Sequence, residues 1–170
     1  PGGMQPRAAV GFSMIPMMFL IMKIMNNNLD MESMLKDTRQ ELLEKRDIYS
    51  KMDSQNPVYL LAQNIYKYCV IIYGETGATE KLAIRLKGQL CENSKMLAYI
   101  NEIPEMNHNE IVGWENNPEL FSHLVVLWLV NKNGHIRNQK RVEITQSIFN
   151  QFPVKQYTIH LEGMSSIEQI

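Results

Sequence analysis

The chain has 170 residues, 45% of them hydrophobic, with a formal net charge of −1. That profile fits a globular domain large enough to bury a sizeable core. It carries no basic excess for nucleic acid and no single-sign tail for an electrostatic partner, which leaves small metabolites as the default ligands.

Residues 8–25 are almost continuously apolar, but Gly11, Ser13, Pro16 and Lys23 interrupt them. A membrane span needs ~20 predominantly apolar residues, and a signal peptide needs a basic stretch ahead of its apolar core. The run therefore predicts a buried helix broken near Pro16, with methionines as packing material, and no membrane partner. After the turn Asn26-Asn27-Asn28, Asp30 can cap a surface helix carrying Met31, Met34, Leu35, Leu42 and Leu43 at helical spacing. Asn56-Pro57 starts the next helix, with asparagine as the cap and proline in the first turn.

Tyr68 to Tyr73 is a short β-rich apolar run closed by Gly74, the pattern of a strand buried on both faces. The loop Gly74-Glu75-Thr76-Gly77-Ala78-Thr79 leads into a helix and could cradle a phosphate on backbone N–H groups and hydroxyls. A P-loop would need glycine where Thr79 stands, and Glu75 opposes an anion, so capping and tight turning compete with ligand binding. A helix is predicted from about Thr79 to Ser94, with Leu82, Leu86 and Leu90 four apart and Lys81, Arg85, Gly88 and Glu92 on an adjoining face. Glu92 falls near the C-terminal end, where the helix dipole disfavours a carboxylate.

A second strand is predicted over Met96 to Ile103, with Leu97, Tyr99 and Ile103 in period two. Pro104 then opens a short helix with Glu105 in its first turn and His108 in or just after it. Glu105, His108 and Glu110 lack the second histidine or the cysteine that a metal centre would require, so no metal is expected. His123 to Val130 is the third strand. A helix over about Ile136 to Gln151, with Val142, Ile144, Ile148 and Phe149 inward, precedes the fourth strand, Val154 to Leu161. Cys69 and Cys91 form no CxxC pair and are expected as reduced, buried thiols of a cytoplasmic protein. The chain opens on Pro1 and stops at Ile170, just after the candidate caps Ser165-Ser166. Both ends are therefore expected to be cuts in a longer chain.

Strands alternating with helices predict βαβ crossovers and a parallel α/β sheet covered on both faces. Three runs carry a more specific signal: Gln89-Leu90-Cys91-Glu92-Asn93-Ser94-Lys95, then Ile103-Pro104-Glu105-Met106-Asn107-His108-Asn109-Glu110-Ile111-Val112-Gly113-Trp114-Glu115, and Pro1 to Ala9. They resemble the bifunctional phosphoglucose/phosphomannose isomerases of the sugar isomerase (SIS) superfamily.

The resemblance implies a three-layer αβα sandwich with a flavodoxin-like SIS sheet, preceded by two or three helices. It implies a connector and helical segment over residues 1–56 and a C-terminal SIS domain, truncated in its last helix, over residues 57–170. It implies interconversion of glucose 6-phosphate or mannose 6-phosphate with fructose 6-phosphate, without cofactor or metal, in a cytoplasmic homodimer whose site is shared between subunits. Aldose–ketose isomerisation moves a proton between C2 and C1 through a cis-enediol. It needs a reversible carbon base, an acid/base for ring opening and a cation to steady the enediolate. By position the resemblance assigns these roles to Glu92, His108 and Arg7. The family's C-terminal lysine and the phosphate grip of its first domain have no counterpart in the chain, so it is expected to be inactive alone. A noncatalytic module that binds sugar phosphate is the competing reading.

Overall fold

The computed structural model describes residues 3–5, 8–77 and 79–162. Along the chain lie α1 (Val10–Ile24), α2 (Met31–Tyr49), α3 (Pro57–Ile65), β1 (Cys69–Glu75), α4 (Glu80–Gln89), β2 (Ala98–Ile103), α5 (Glu105–Asn109), β3 (Leu124–Val130), α6 (Ile136–Phe149) and β4 (Lys155–His160). Two compact units divide it, Pro1–Arg46 and Asp47–Ile170.

In the first unit, Asp30 Oδ1 accepts from Ser33 N–H at 3.0 Å and opens α2 as expected. The expectation for α1 fails on two counts. The helix runs unbroken through Pro16, and none of its residues is buried. Pro16 removes one N–H from the ladder, a single lost bond that the flanking turns absorb. Apolar side chains on every side of a helix cannot all be covered by one neighbour, so Phe12, Met17, Leu20 and Ile24 stay exposed. No helix among the described residues is long and apolar enough to cross a membrane.

The second unit is a parallel four-stranded sheet in the order β2-β1-β3-β4. This is the flavodoxin-type order, with its switch point between β1 and β3. Alternate residues of the two central strands feed two cores. On one face Tyr73, Val126 and Trp128 pack with Met106 of α5 and with Val142 and Phe149 of α6. On the other, Val70, Ile72, Val125, Leu127 and Leu129 pack with Ile65 of α3 and Ala83 of α4. The result is the expected three-layer αβα sandwich, with helices on both faces. Asn56 caps α3 as expected: its Oδ1 accepts from Val58 and Tyr59 N–H at 2.9 and 3.1 Å.

Three expectations are corrected. The helix after β1 does not run to Ser94 in α geometry; it gives way to a π turn over Leu90–Ser94, closed by Lys95 in the left-handed region at φ 55°. The Leu90 carbonyl takes the Lys95 N–H and also that of Met96, at 3.2 Å, widening the last turn. Leu97, which precedes β2, and Tyr99 on it are exposed although Ile103 is buried, because β2 is the edge of the described sheet and is covered only in part. On α6 the buried position is Thr145 rather than Ile144, its hydroxyl donating to the Arg141 carbonyl at 2.7 Å.

Candidate functional site

A parallel sheet has two chemically different rims, and the predicted site residues fall on both. α4 runs back from the C-terminal end of β1, so the π turn that continues it, with Glu92, lies at the N-terminal rim before the start of β2. β2 then crosses the sheet, and His108 follows on α5 at the C-terminal rim. The intervening strand separates the two rims by roughly 17 Å at about 3.3 Å per residue. A single copy of the chain therefore does not bring Glu92 and His108 together. Arg7 lies outside the described residues.

Glu92 is exposed on the π turn. Lys95 Nζ donates to the Glu92 carbonyl at 2.6 Å, placing a cation on the negative end of the helix. Asn93 Nδ2 donates to Gln89 Oε1 at 2.5 Å across the same turn. The π turn was not legible in the leucine spacing, which continues at four through Leu90.

His108 is exposed on the short helix α5, whose other side is pinned into the domain. Met106 is fully buried beneath it. Asn107 Nδ2 donates to Thr145 Oγ of α6 at 2.7 Å. Glu110 turns inward: Tyr73 Oη donates to its Oε1, Trp114 Nε1 donates to Oε1 at 3.4 Å and to Tyr73 Oη at 3.1 Å, and Asn101 Nδ2 donates to Oε2 at 2.6 Å. Burial first, then the Glu110 charge, pushes the Tyr73 phenol far above its ordinary range, so it stays a donor. Sequence reasoning placed Glu110 in a possible ligand cluster and missed this network; the signal was a glutamate two residues past His108 and four before a tryptophan.

The Gly/Thr loop at the switch point spends its polar groups internally. Thr79 is fully buried, accepting from Glu75 N–H at 2.7 Å and donating to the Leu129 carbonyl at 2.9 Å. Thr76 Oγ donates to Glu102 Oε2 at 2.7 Å, and Glu80 Oε2 accepts from Gly77 N–H at 3.1 Å. Of the competing readings for this loop, tight turning accounts for these groups; Thr79 makes no side-chain cap bond to α4. Glu75 does not face an incoming anion. It is 1% exposed, with Oε1 accepting from Asn131 N–H at 3.0 Å and Oε2 buried without a partner. Burial raises its pKa above the usual carboxylate value, against a smaller lowering by the Asn131 bond. A cleft between α4 and β2 is lined by Glu80, Lys81, Ile84, Ile100 and Glu102. Its two carboxylates disfavour a phosphate there. Burial, then Cys91, raises the thiol pKa of Cys69, and both cysteines are free.

Comparison with known proteins bears on the same segment. A family profile described as "Bacterial phospho-glucose isomerase C-terminal SIS domain" matches residues 54–170. A bifunctional phosphoglucose/phosphomannose isomerase of Caldicellulosiruptor bescii is 37% identical over 150 residues, covering 87% of this chain and 44% of that protein. The protein of the same name from Aquifex aeolicus is 34% identical over 165 residues, covering 97% of this chain and 47% of that protein. That from Thermoplasma acidophilum is 31% identical over 151 residues, covering 87% and 43%. The chain thus spans a little under half the length of these curated relatives.

Proposed function

The chain belongs to the bacterial phosphoglucose isomerase C-terminal SIS domain family, and from that premise we propose that it supplies half of a sugar-phosphate aldose–ketose isomerase. The reaction interconverts glucose 6-phosphate or mannose 6-phosphate with fructose 6-phosphate. Glu92 removes the proton from C2 and returns it to C1, passing through a cis-enediol; its two oxygens and exposed position on the π turn suit reversible transfer. His108 opens the ring, since an imidazole carries one ring nitrogen that can give a proton and one that can take it. Arg7 steadies the developing enediolate charge. Neither cofactor nor metal enters these steps. Because one copy holds Glu92 and His108 on opposite rims, the site is completed between two copies in a homodimer, His108 of one serving Glu92 of the other.

The observation that carries this reading is the family match across residues 54–170, which includes both acid/base groups. Substrate orientation supplies about 7 to 11 kcal/mol of a barrier in well-arranged reactions. The hydroxyls of the Gly/Thr loop are already engaged, so the phosphate grip belongs to another segment, and this 170-residue chain alone is expected not to turn over. The test is a coupled assay of fructose 6-phosphate conversion on this chain and on a two-domain chain of the relatives' length. In the two-domain chain, Glu92→Gln should cut solvent deuterium entry at C2 by about 10² to 10⁴ while leaving phosphate binding intact. Normal exchange in that variant would remove Glu92 from the mechanism. Turnover by both unsubstituted chains at equal rates would remove the need for a second domain. Sugar-phosphate binding without exchange by the unsubstituted two-domain chain would favour the noncatalytic module.

A further inference from the structure

His108 sits on a helix of only five residues, too short to hold its own geometry in water. What fixes it must come from outside α5, and three donors from separate parts of the unit converge on one carboxylate two residues beyond the histidine. Tyr73 comes from the centre of the sheet, Asn101 from the edge strand, and Trp114 from the turn that follows. Both oxygens of Glu110 are engaged, Oε1 by Tyr73 and Trp114 and Oε2 by Asn101. The Glu110 N–H closes the helix on the Met106 carbonyl at 3.1 Å, so the clamped residue is also the last residue bonded into α5. On the far side, Asn107 ties the helix to Thr145 of α6.

We propose that Glu110 is a positioning residue for His108: it holds α5 to the sheet through Tyr73, Asn101 and Trp114, and so sets where the imidazole stands above the C-terminal rim. This inference rests on the reading of His108 as the ring-opening group. A hydrogen-bonded carboxylate is a stronger anchor than a neutral acceptor, and charge-assisted bonds are about twice as strong. Tyr73 is fully buried between Trp128 and Phe149, with ring centroids 4.7 and 6.0 Å away, so the anchor point itself does not move. Glutamine at 110 keeps an acceptor for Tyr73 and Trp114 but faces Asn101 Nδ2 with a second donor, so it should rescue only in part.

Two readouts test this separately. The first is amide hydrogen exchange in the 170-residue chain itself. Glu110→Ala should speed exchange at Asn109 and at the amide of position 110 at least about tenfold, Glu110→Gln by less, with Val126 and Leu127 of β3 unchanged. Tyr73→Phe, which keeps the buried ring and loses only the hydroxyl, should act in the same direction if Glu110→Ala fails to fold. The second is turnover in the two-domain chain, where misplacing a catalytic group by about 1 Å costs on the order of a hundredfold. Glu110→Ala or Tyr73→Phe should lower kcat about ten- to a hundredfold with KM within about twofold, and Glu110→Gln should fall between. Unchanged α5 exchange in both Glu110→Ala and Tyr73→Phe would overturn the clamp. Faster exchange with normal kcat, beside an inactive His108→Ala, would overturn the positioning role. Normal kcat in His108→Ala as well would instead place the failure in the reading of His108.

Discussion

Glu75 carries a carboxyl at the end of β1 where the sheet order reverses, with one oxygen bonded to the Asn131 N–H and the other sealed beneath Gly134. A Cβ on Gly134 would stand 2.6 Å from that second oxygen and 3.0 Å from the Asn131 carbonyl, so only glycine closes over it. In sequence Glu75 counted only as a charge opposing an anion in the Gly/Thr loop. The fold turns it inward because Thr79 and the β3 end draw the loop down over the strand. Its folded pKa is raised by burial, so the unfolded chain ionises first as pH rises. The neutral carboxyl's contribution is therefore fully present below the ordinary carboxylate pKa and is lost as pH climbs through the raised one. Glu75→Gln removes that loss. Urea denaturation should show the variant's stability relative to the parent growing by about 1.4 kcal/mol for each pH unit between the two pKa values, then levelling. A difference flat with pH would mean that Glu75 ionises in the fold as it does in water.

At the scale of elements, local chemistry was legible wherever a side chain closes its own turn. Asn56 is the clearest case, because asparagine before proline has one low-cost arrangement: Oδ1 on the next free N–H groups, and proline where none is needed. Its Nδ2 does more than the sequence indicated, donating to the carbonyls of Tyr49 and Lys51 at 2.9 and 2.6 Å and so fixing the approach to α3. Asn56→Ala should cost about 1 to 2 kcal/mol in chemical denaturation, and Asn56→Asp, which keeps the cap but sets a carboxylate oxygen against the Tyr49 and Lys51 carbonyls, should cost at least as much. An Asn56→Asp variant as stable as the parent would assign the whole effect to the Oδ1 cap and none to the Nδ2 bonds. Elements whose form depends on distant neighbours were not legible. The exposure of Leu97 and Tyr99 follows from β2 being the edge of the described sheet, a property of strand order. Thr145 takes the inward place on α6 because its hydroxyl satisfies both the Arg141 carbonyl and Asn107, a partner 38 residues away. The π turn under Glu92 depends on a left-handed Lys95, which no apolar period signals.

For the molecule as a whole, the sheet was legible from four apolar runs spaced by helical patterns. The candidate site was legible only as residues, because motif order along a chain does not say on which rim each residue emerges. Glu92 and His108 belong to neighbouring elements in sequence and to opposite ends of β2 in space. A reaction needing both within reach of one sugar cannot run inside one copy of this domain. In a two-fold dimer each site would take Glu92 from one chain and His108 from the other, so the two groups are separable by mixing. Two-domain chains carrying Glu92→Gln and chains carrying His108→Ala should each be inactive. Random reassociation makes about half of the dimers mixed. Each mixed dimer has one site with both groups intact and one with neither, so the mixture should recover about a quarter of the parent's specific activity. Turnover is measured after unfolding and refolding the two variants together, with differently tagged chains captured in sequence to prove that mixed dimers formed. If mixed dimers are present and activity stays at the level of the separate variants, the two groups do not meet across an interface. One of them must then leave the mechanism, and His108, whose partner site would be unexplained, is the one to replace.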